Sequence, residues 1–295
     1  MRRLHVLLRD VLLHIPPIRR IYDERNVRHA EVKSLREQLQ RNTLDNYDRE
    51  LPTAQEAFRI FDGEWSSKVP GFGFGQSDLF NDHRIAWLEN RNKGFGGKRI
   101  LELGPLEGGH TYMIAKAGPA QLIAIESNRR AFLKCLIVKN ALNFSAEILL
   151  GDFEKYVRNC KSTFDFVLAS GVLYHMEHPV SLLADIAKIT DSIGLWTHYY
   201  DPKIIAARDD LRRKFNPTPE IQMLDGQPLQ LHRQHYHGAL DWAGFCGGPE
   251  SFSYWFTRDS LLKCLDLLGF DAETGDEAQL HQNGPCILIY ARRRR

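Results

Sequence analysis

Apolar residues recur along this chain with two different periods. Over residues 1–15, Leu4, Leu7, Leu8, Val11, Leu12 and Ile15 share one helical face, and Pro16 and Pro17 end the pattern. A charge-rich second helix is expected over 18–40, with Ile18, Ile21, Val32, Leu35 and Leu39 on its apolar side. Arg25 and Arg28 or His29 fall near that seam, so the heptad signal for a short coiled coil is weak. From Arg99 the texture becomes alternating: strands are expected at 99–103, 121–126, 146–150, 164–169 and 193–197. Helices are expected near 110–117, 128–142, 153–159 and 179–190. That order implies a parallel sheet with right-handed crossovers. Residues 203–250 interrupt it with polar, histidine-rich sequence. A helix over 257–270 follows, with Thr257 as N-cap and Gly269 as stop, and "CILIYARR" closes as a last strand.

These patterns divide the chain into a helical arm (1–45), a cap segment (46–97) and an α/β domain (98–295) with an inserted substrate lid (203–255). Within the cap, "GEWSSKVPGFGFGQSDLF" mixes glycine with aromatics, either as an ordered cover over a site or as a surface loop anchored by Trp65 and the phenylalanines.

The bulk composition narrows the function. The 295 residues are 43% hydrophobic and 26% charged, an ordinary globular balance. A net charge of +2 gives no global basic field for nucleic acid. Cationic residues cluster only at Arg292 to Arg295 and at Arg2, Arg3, Arg9, Arg19 and Arg20. The cysteines at 135, 160, 246, 264 and 286 have no CxxC spacing, so reduced thiols in a cytoplasmic protein are expected and no metal. No apolar run has the ~20 residues of a membrane-spanning helix, and no secretory leader is expected.

Chemistry gathers at the ends of the expected strands, where open α/β sheets hold their ligands. After the first come Glu102, Gly104, Gly108, Gly109 and His110; the second ends in Glu126. The third ends in Gly151 and Asp152, the fourth in Ser170, Gly171 and Tyr174. Gly104 permits a sharp turn and a close approach. An acid at the end of the second strand can accept both hydroxyls of a ribose, and one after the third can accept from an exocyclic amine.

Residues 99–197 resemble the core of the class I S-adenosylmethionine-dependent methyltransferases. "LELGPLEGGH" is similar to their first motif, "AIES" to the ribose acid, "GDF" to the adenine-side acid and "FDFVLASGVLYHMEHP" to the fourth motif. The resemblance implies a Rossmann-like, seven-stranded, mostly parallel sheet with helices on both faces and an antiparallel last strand. It implies S-adenosylmethionine as cofactor, contacted by Glu102, Gly104, Pro105, Gly108, His110, Glu126, Ser127, Asp152, Phe153, Ser170, Gly171 and Tyr174. The chain departs from the family's G-x-G-x-G turn, because Leu106, preceded by Pro105, stands at the middle glycine. A pyrophosphate would want bare backbone there. Glu102 and Glu107 instead suit a sulfonium and an ammonium group.

Methyl transfer to oxygen usually needs a proton acceptor. His198, at the end of the fifth strand, is the preferred base over a satisfied core histidine, with His175 and Tyr199 as further catalytic candidates; His175 serves equally well as a structural hydrogen-bond donor. Trp65, Tyr200, His235, His237 and Trp255 are candidate substrate contacts, with His232, Trp242, Phe245 and Phe256 nearby in the sequence. His235 and His237 alternate as metal ligands can, but no carboxylate or cysteine accompanies them in ligand spacing.

The expected activity is O-methylation of a small molecule or glycan. The segment "LHIPPIRRIYDERNVRHAEVKSLREQ" resembles arms that precede methyltransferase domains associated with polysaccharide assembly. Such an arm can lie peripherally on an anionic membrane, join a homo-oligomer or pack on its own domain. An alternative, carried by "GVLYH", is a transfer-RNA wobble-uridine alkyltransferase. A non-enzymatic alternative is a cofactor-binding scaffold.

Overall fold

A computed structural model describes residues 28, 31, 32, 47–241, 247, 248 and 250–295. Arg28, Glu31 and Val32 are helical and exposed. The expected helices over 1–15 and 18–40 otherwise lie outside the described residues, as do Trp242 and Phe245. The chain divides into two compact units, Met1–Ile60 and Phe61–Arg295, so the boundary falls inside the 46–97 segment. In the first unit, α1 (Ala54–Arg59) carries an exposed Arg59–Glu56 ion pair. Among the described residues no helix is long and apolar enough to cross a membrane.

The second unit runs α2 (His83–Arg91), β1 (Arg99–Leu103), α3 (Gly109–Lys116), β2 (Gln121–Glu126), α4 (Arg129–Leu142), β3 (Glu147–Leu150), α5 (Phe153–Asn159) and β4 (Phe166–Ser170). A short 3-10 turn (Leu173–His175) leads to α6 (Pro179–Ile189) and β5 (Ser192–His198). The inserted segment contains α7 (Pro202–Ala207), α8 (Asp209–Arg212), β6 (Glu220–Leu224), β7 (Gln227–His235) and β8 (Phe252–Phe256). The chain closes with α9 (Arg258–Leu267), β9 (Phe270–Ala278) and β10 (Cys286–Arg293).

Seven strands form one sheet in the order β3-β2-β1-β4-β5-β10-β9. β1 to β5 are parallel, and β10 runs antiparallel to both of its neighbours. Side-chain alternation explains why the strands read as continuous apolar runs. Leu101, Leu103, Ile123, Ile125, Val167, Ala169, Ile193 and Leu195 pack on one face against α5, α6 and α9. Ile100, Leu122, Ile148, Phe166 and Leu168 pack on the other against α2, α3 and α4. Both faces are covered, as a parallel sheet requires. The doubly wound α/β architecture expected from the sequence is therefore present.

Two parts depart from the expected pattern. β9 is a long edge strand, mostly exposed and acidic, that the sequence pattern did not anticipate. The 203–255 segment is not merely polar coil: β6, β7 and β8 form an antiparallel three-stranded sheet. Its first hairpin turns at Asp225 and Gly226, both at positive φ (49° and 73°), the backbone a two-residue hairpin needs.

Candidate functional site

The turn after β1 is built to bring backbone close to a ligand. Gly104 has φ +65°, and a Cβ there would meet Val172 Cγ2 at 2.9 Å. The Pro105 carbonyl accepts from Gly108 N–H at 2.9 Å, closing the turn before α3. Leu106 holds a left-handed φ of 57° without being glycine. Its amide donates to Glu126 Oε2 at 3.0 Å, while Asn128 N–H donates to Glu126 Oε1 at 2.8 Å. Burial pushes the Glu126 carboxyl upward, and these backbone donors, with Ser127, oppose the shift. A carboxylate has about four acceptor sites, so Glu126 keeps capacity for a ligand hydroxyl beyond these backbone donors.

One cavity of about 760 Å³ opens beyond the carboxyl ends of the parallel strands. Of the sequence-derived candidates, Gly104, Pro105, His110, Glu126, Ser127, Asp152, Phe153, Ser170, Gly171, Tyr174 and His175 line it. Asp152 also caps α5, accepting from Lys155 N–H at 3.1 Å, so its carboxylate serves helix and cavity together.

Other candidates stand elsewhere. Glu102 is buried beneath the turn, where it accepts from Thr111 Oγ1 at 2.5 Å. Burial, with the charge of Glu126, pushes Glu102 up to about 7 against the Thr111 bond. Glu107 points away into the cap: it accepts from Ser66 and Ser67 N–H at 3.0 and 2.7 Å and pairs with Lys134 at 3.0 Å. The expected pairing of Glu102 and Glu107 with a cationic ligand is thereby corrected, because neither lines the cavity and Glu107 already has its cation. Gly108 sits at φ +78° as the N-cap of α3.

His198 lies behind the cavity wall, 2% exposed. Its Nδ1 donates to the carbonyls of Gly284 and Pro285 at 2.9 and 3.2 Å, and its ring stacks on Trp255 with centroids 5.0 Å apart. Burial is the main cause that brings His198 down to about 4. Tyr199 is buried and donates to Glu277 at 2.7 Å; burial, then Glu277, raises its phenol far above the usual range. Trp65 packs in the cap against Phe61 and Phe74, with the Lys134 ammonium 5.3 Å from its ring. Tyr200 stacks on His232 at 3.5 Å. His235 meets Asn216 Oδ1 at 3.0 Å, and His237 is exposed at φ 49°. None of these side chains lines the cavity.

His175 does line it. Tyr236 O–H donates to the Gly247 carbonyl at 2.9 Å, so it accepts from His175 Nδ1 at 3.0 Å. That network sets the Nδ1–H tautomer and leaves Nε2 with its lone pair. Burial pushes His175 down to about 3, which keeps the ring neutral.

The sequence pattern missed two groups. Ser77, Asp78, Leu79, Asn81, Asp82, His83 and Arg84 wall the cavity from the cap side. Asp82 caps α2 and accepts from Arg84 and from His110 Nε2 at 2.9 Å. Burial opposes its ionisation, but His110 and Arg84 outweigh burial and hold the carboxyl well below the usual range. The second group, Asp276, Ala278, His281, Gln282, Asn283 and Cys286, comes from the end of β9, the β9–β10 connection and the start of β10. Trp196 lies between the groups, with the Arg84 guanidinium 4.4 Å from its ring centroid. A capped Asp82 followed by α2 was a readable signal. The connection had none, because β9 is not apolar.

Residues 101–196 match a sequence family described as a methyltransferase domain. Among curated proteins, no sequence matches this chain. The fold is similar to the N-terminal domain of EvdMO1 with SAH bound: TM-score 0.58 at 23% identity, covering 82% of this chain and 95% of that one. Against full-length EvdMO1, at 24% identity and TM-score 0.52, 84% of this chain covers 50% of the other. The magnesium protoporphyrin IX methyltransferase (ChlM) of Synechocystis PCC 6803, with SAH bound, aligns at TM-score 0.50 and 14% identity, over 84% of this chain and 90% of that one.

Proposed function

We propose, from the premise that this chain is an S-adenosylmethionine-dependent methyltransferase with the class I fold, that it methylates a hydroxyl of a small molecule or glycan. The observation that carries the reading is a single cavity that joins Gly104, Glu126 and Asp152 to Tyr174, His175, Trp196 and His281. The first group fits the methyl donor. Glu126 offers lone pairs to ribose hydroxyls, Asp152 offers an acceptor to the adenine amine, and the glycine turn leaves room for the amino-acid end. The second group then faces the acceptor. The EvdMO1 domain has also been crystallised in the presence of SAH and D-fucose, which makes sugars an early class to test.

The bound cofactor supplies an electrophilic methyl on a sulfonium and its own leaving group. The protein's part is alignment and proton removal. His175 takes the second role in this reading on its geometry: it lines the cavity, fixed as the Nδ1–H tautomer so that Nε2 is the atom left to accept a proton, while burial makes it a weaker base than an exposed imidazole. His198 is set behind the wall and serves less directly. Tyr236, which holds His175, belongs to the 203–255 insertion, and that contact supports a lid role for this segment.

Incubation with S-adenosylmethionine and a panel of sugars and hydroxylated metabolites, read by mass spectrometry, tests the reading. A product heavier by one methylene unit is expected. His175→Ala should lower turnover ~10²- to 10⁴-fold, the range for a lost general base, with SAH affinity unchanged. Full turnover in that variant would remove His175 from the reaction.

A further inference from the structure

Three donor side chains converge at the wall of the cavity, and methyl transfer as described gives none of them a proton to hold or move. His198 ends β5 and Cys286 opens β10, and the two residues are directly paired across the antiparallel ladder. His281 joins them from the β9–β10 connection. One ligand atom from each lies within 4.8 Å of the other two. We propose that His198, His281 and Cys286 bind a divalent transition metal of the zinc type, with its remaining position open to the cavity. The proposal rests on the reading above only for the use of that opening.

The donor set selects the ion. Two imidazoles and a thiolate suit a borderline-soft cation, whereas calcium and magnesium want oxygen. A zinc ion about 2.0–2.3 Å from each donor needs donors roughly 3.3–3.8 Å apart. Closing from the present spacing takes side-chain movements of about 1 Å, on the order of the ligand-distance mismatch itself. Two of the ligands sit on paired strands, so the scaffold is rigid where it matters.

The surroundings of His198 are those of a metal ligand. Its Nδ1–H is committed to the carbonyls of Gly284 and Pro285, which fixes the ring and leaves the Nε2 lone pair. Trp255 stacks on the ring and Trp196 meets its edge. Burial raises the Cys286 thiol above its ordinary range, and the Ala278 backbone, Arg84 and the Trp196 side chain oppose that shift. His281 and Cys286 line the cavity while His198 lies behind it, so the three ligands leave the cavity side open. That is the arrangement of three-ligand catalytic sites.

Two further features oppose binding, and both have a counterweight. The Arg84 guanidinium stands near the cluster, but Asp82 pairs with it. His281 Nδ1 accepts from Asn283 N–H at a long 3.2 Å, a bond easily exchanged for a metal. On binding, the Cys286 S–H bond breaks, its proton leaves to solvent and a sulfur–metal bond forms. An acceptor hydroxyl reaching the open position would be polarised and more readily deprotonated.

Cobalt(II) reports such a site directly. The full-length protein, stripped with a chelator, is titrated with cobalt chloride and followed by visible absorption. One equivalent should bind, with tetrahedral d–d bands and a thiolate-to-cobalt charge-transfer band, and zinc should displace it. Cys286→Ser should abolish the charge-transfer band, and His198→Ala or His281→Ala should weaken cobalt binding at least ~10-fold. SAH calorimetry on each variant controls for folding, and His281→Ala, a change in a connecting segment, covers the case in which the strand variants do not fold. Absence of the charge-transfer band overturns the site, as does its persistence in Cys286→Ser or metal uptake equal in wild type and all variants. Cobalt binding without SAH binding would instead overturn the methyl-donor reading and leave the metal site standing.

Discussion

Glu102 and Glu126 stand one strand apart and do different work. Glu126 faces the cavity with backbone donors around it, whereas Glu102 is sealed below the turn with Thr111 as partner. A folded-state pKa near 7, against an ordinary 4.5, means that the native state keeps its proton longer than the unfolded chain. Stability therefore falls as pH rises through that window, and the whole cost is present above it. Glu102→Gln removes the ionisable group, so it should raise unfolding free energy by about 2–3 kcal/mol at about pH 8 and by little at about pH 4.5. Denaturant unfolding at the two pH values measures this; an equal effect at both would assign the burial cost elsewhere. Gly104 is tested in the opposite direction. Alanine there meets Val172 at 2.9 Å in a left-handed backbone, so Gly104→Ala should cost about 1–3 kcal/mol and weaken SAH binding. Leu106 shows that the turn tolerates a side chain at φ 57°, which places the strict glycine requirement at Gly104 rather than at the family's middle position.

At the scale of elements, apolar alternation is what made the chain legible. β1 to β5 and the helices between them bury both faces, so their runs stand out and were expected within a few residues. The Thr257 cap of α9 was equally readable, since its hydroxyl accepts from Ser260 N–H at 3.3 Å. β9 was not: as an edge strand it carries Asp271, Glu273, Asp276 and Glu277 in place of apolar residues, which guards the edge but erases the pattern. The Asp225–Gly226 turn was present in the sequence, yet its flanking strands are too polar to announce a hairpin. The same logic holds for the site. Acids ending apolar strands could be read; Arg84, Trp196 and His281 meet only through tertiary packing. The cap segment joins the site through Asp82, which caps α2 and accepts from His110 on α3. Asp82→Ala should cost at least ~1 kcal/mol for the lost cap and should also weaken SAH binding. A stability loss with unchanged affinity would make the cluster purely structural.

For the whole molecule, everything depends on the parallel strands ending at one ligand. The sheet order β3-β2-β1-β4-β5-β10-β9 puts β1 between β2 and β4, so the Gly104 turn, Glu126 and Gly171 come from adjacent strands. The same order brings the β9–β10 connection to the cavity, near β5. The matched family spans residues 101–196, so the cap segment, the insertion and the C-terminal strands that line the rest of the cavity lie outside that match. The most direct measurement is titration calorimetry of the full-length protein with SAH, repeated on Glu126→Ala and Asp152→Ala. One site per chain is expected, with each substitution weakening binding by about 1–3 kcal/mol, the range for a lost buried hydrogen bond. No binding to the wild type, or affinity unchanged in both variants, would contradict the assignment of this cavity to the methyl donor.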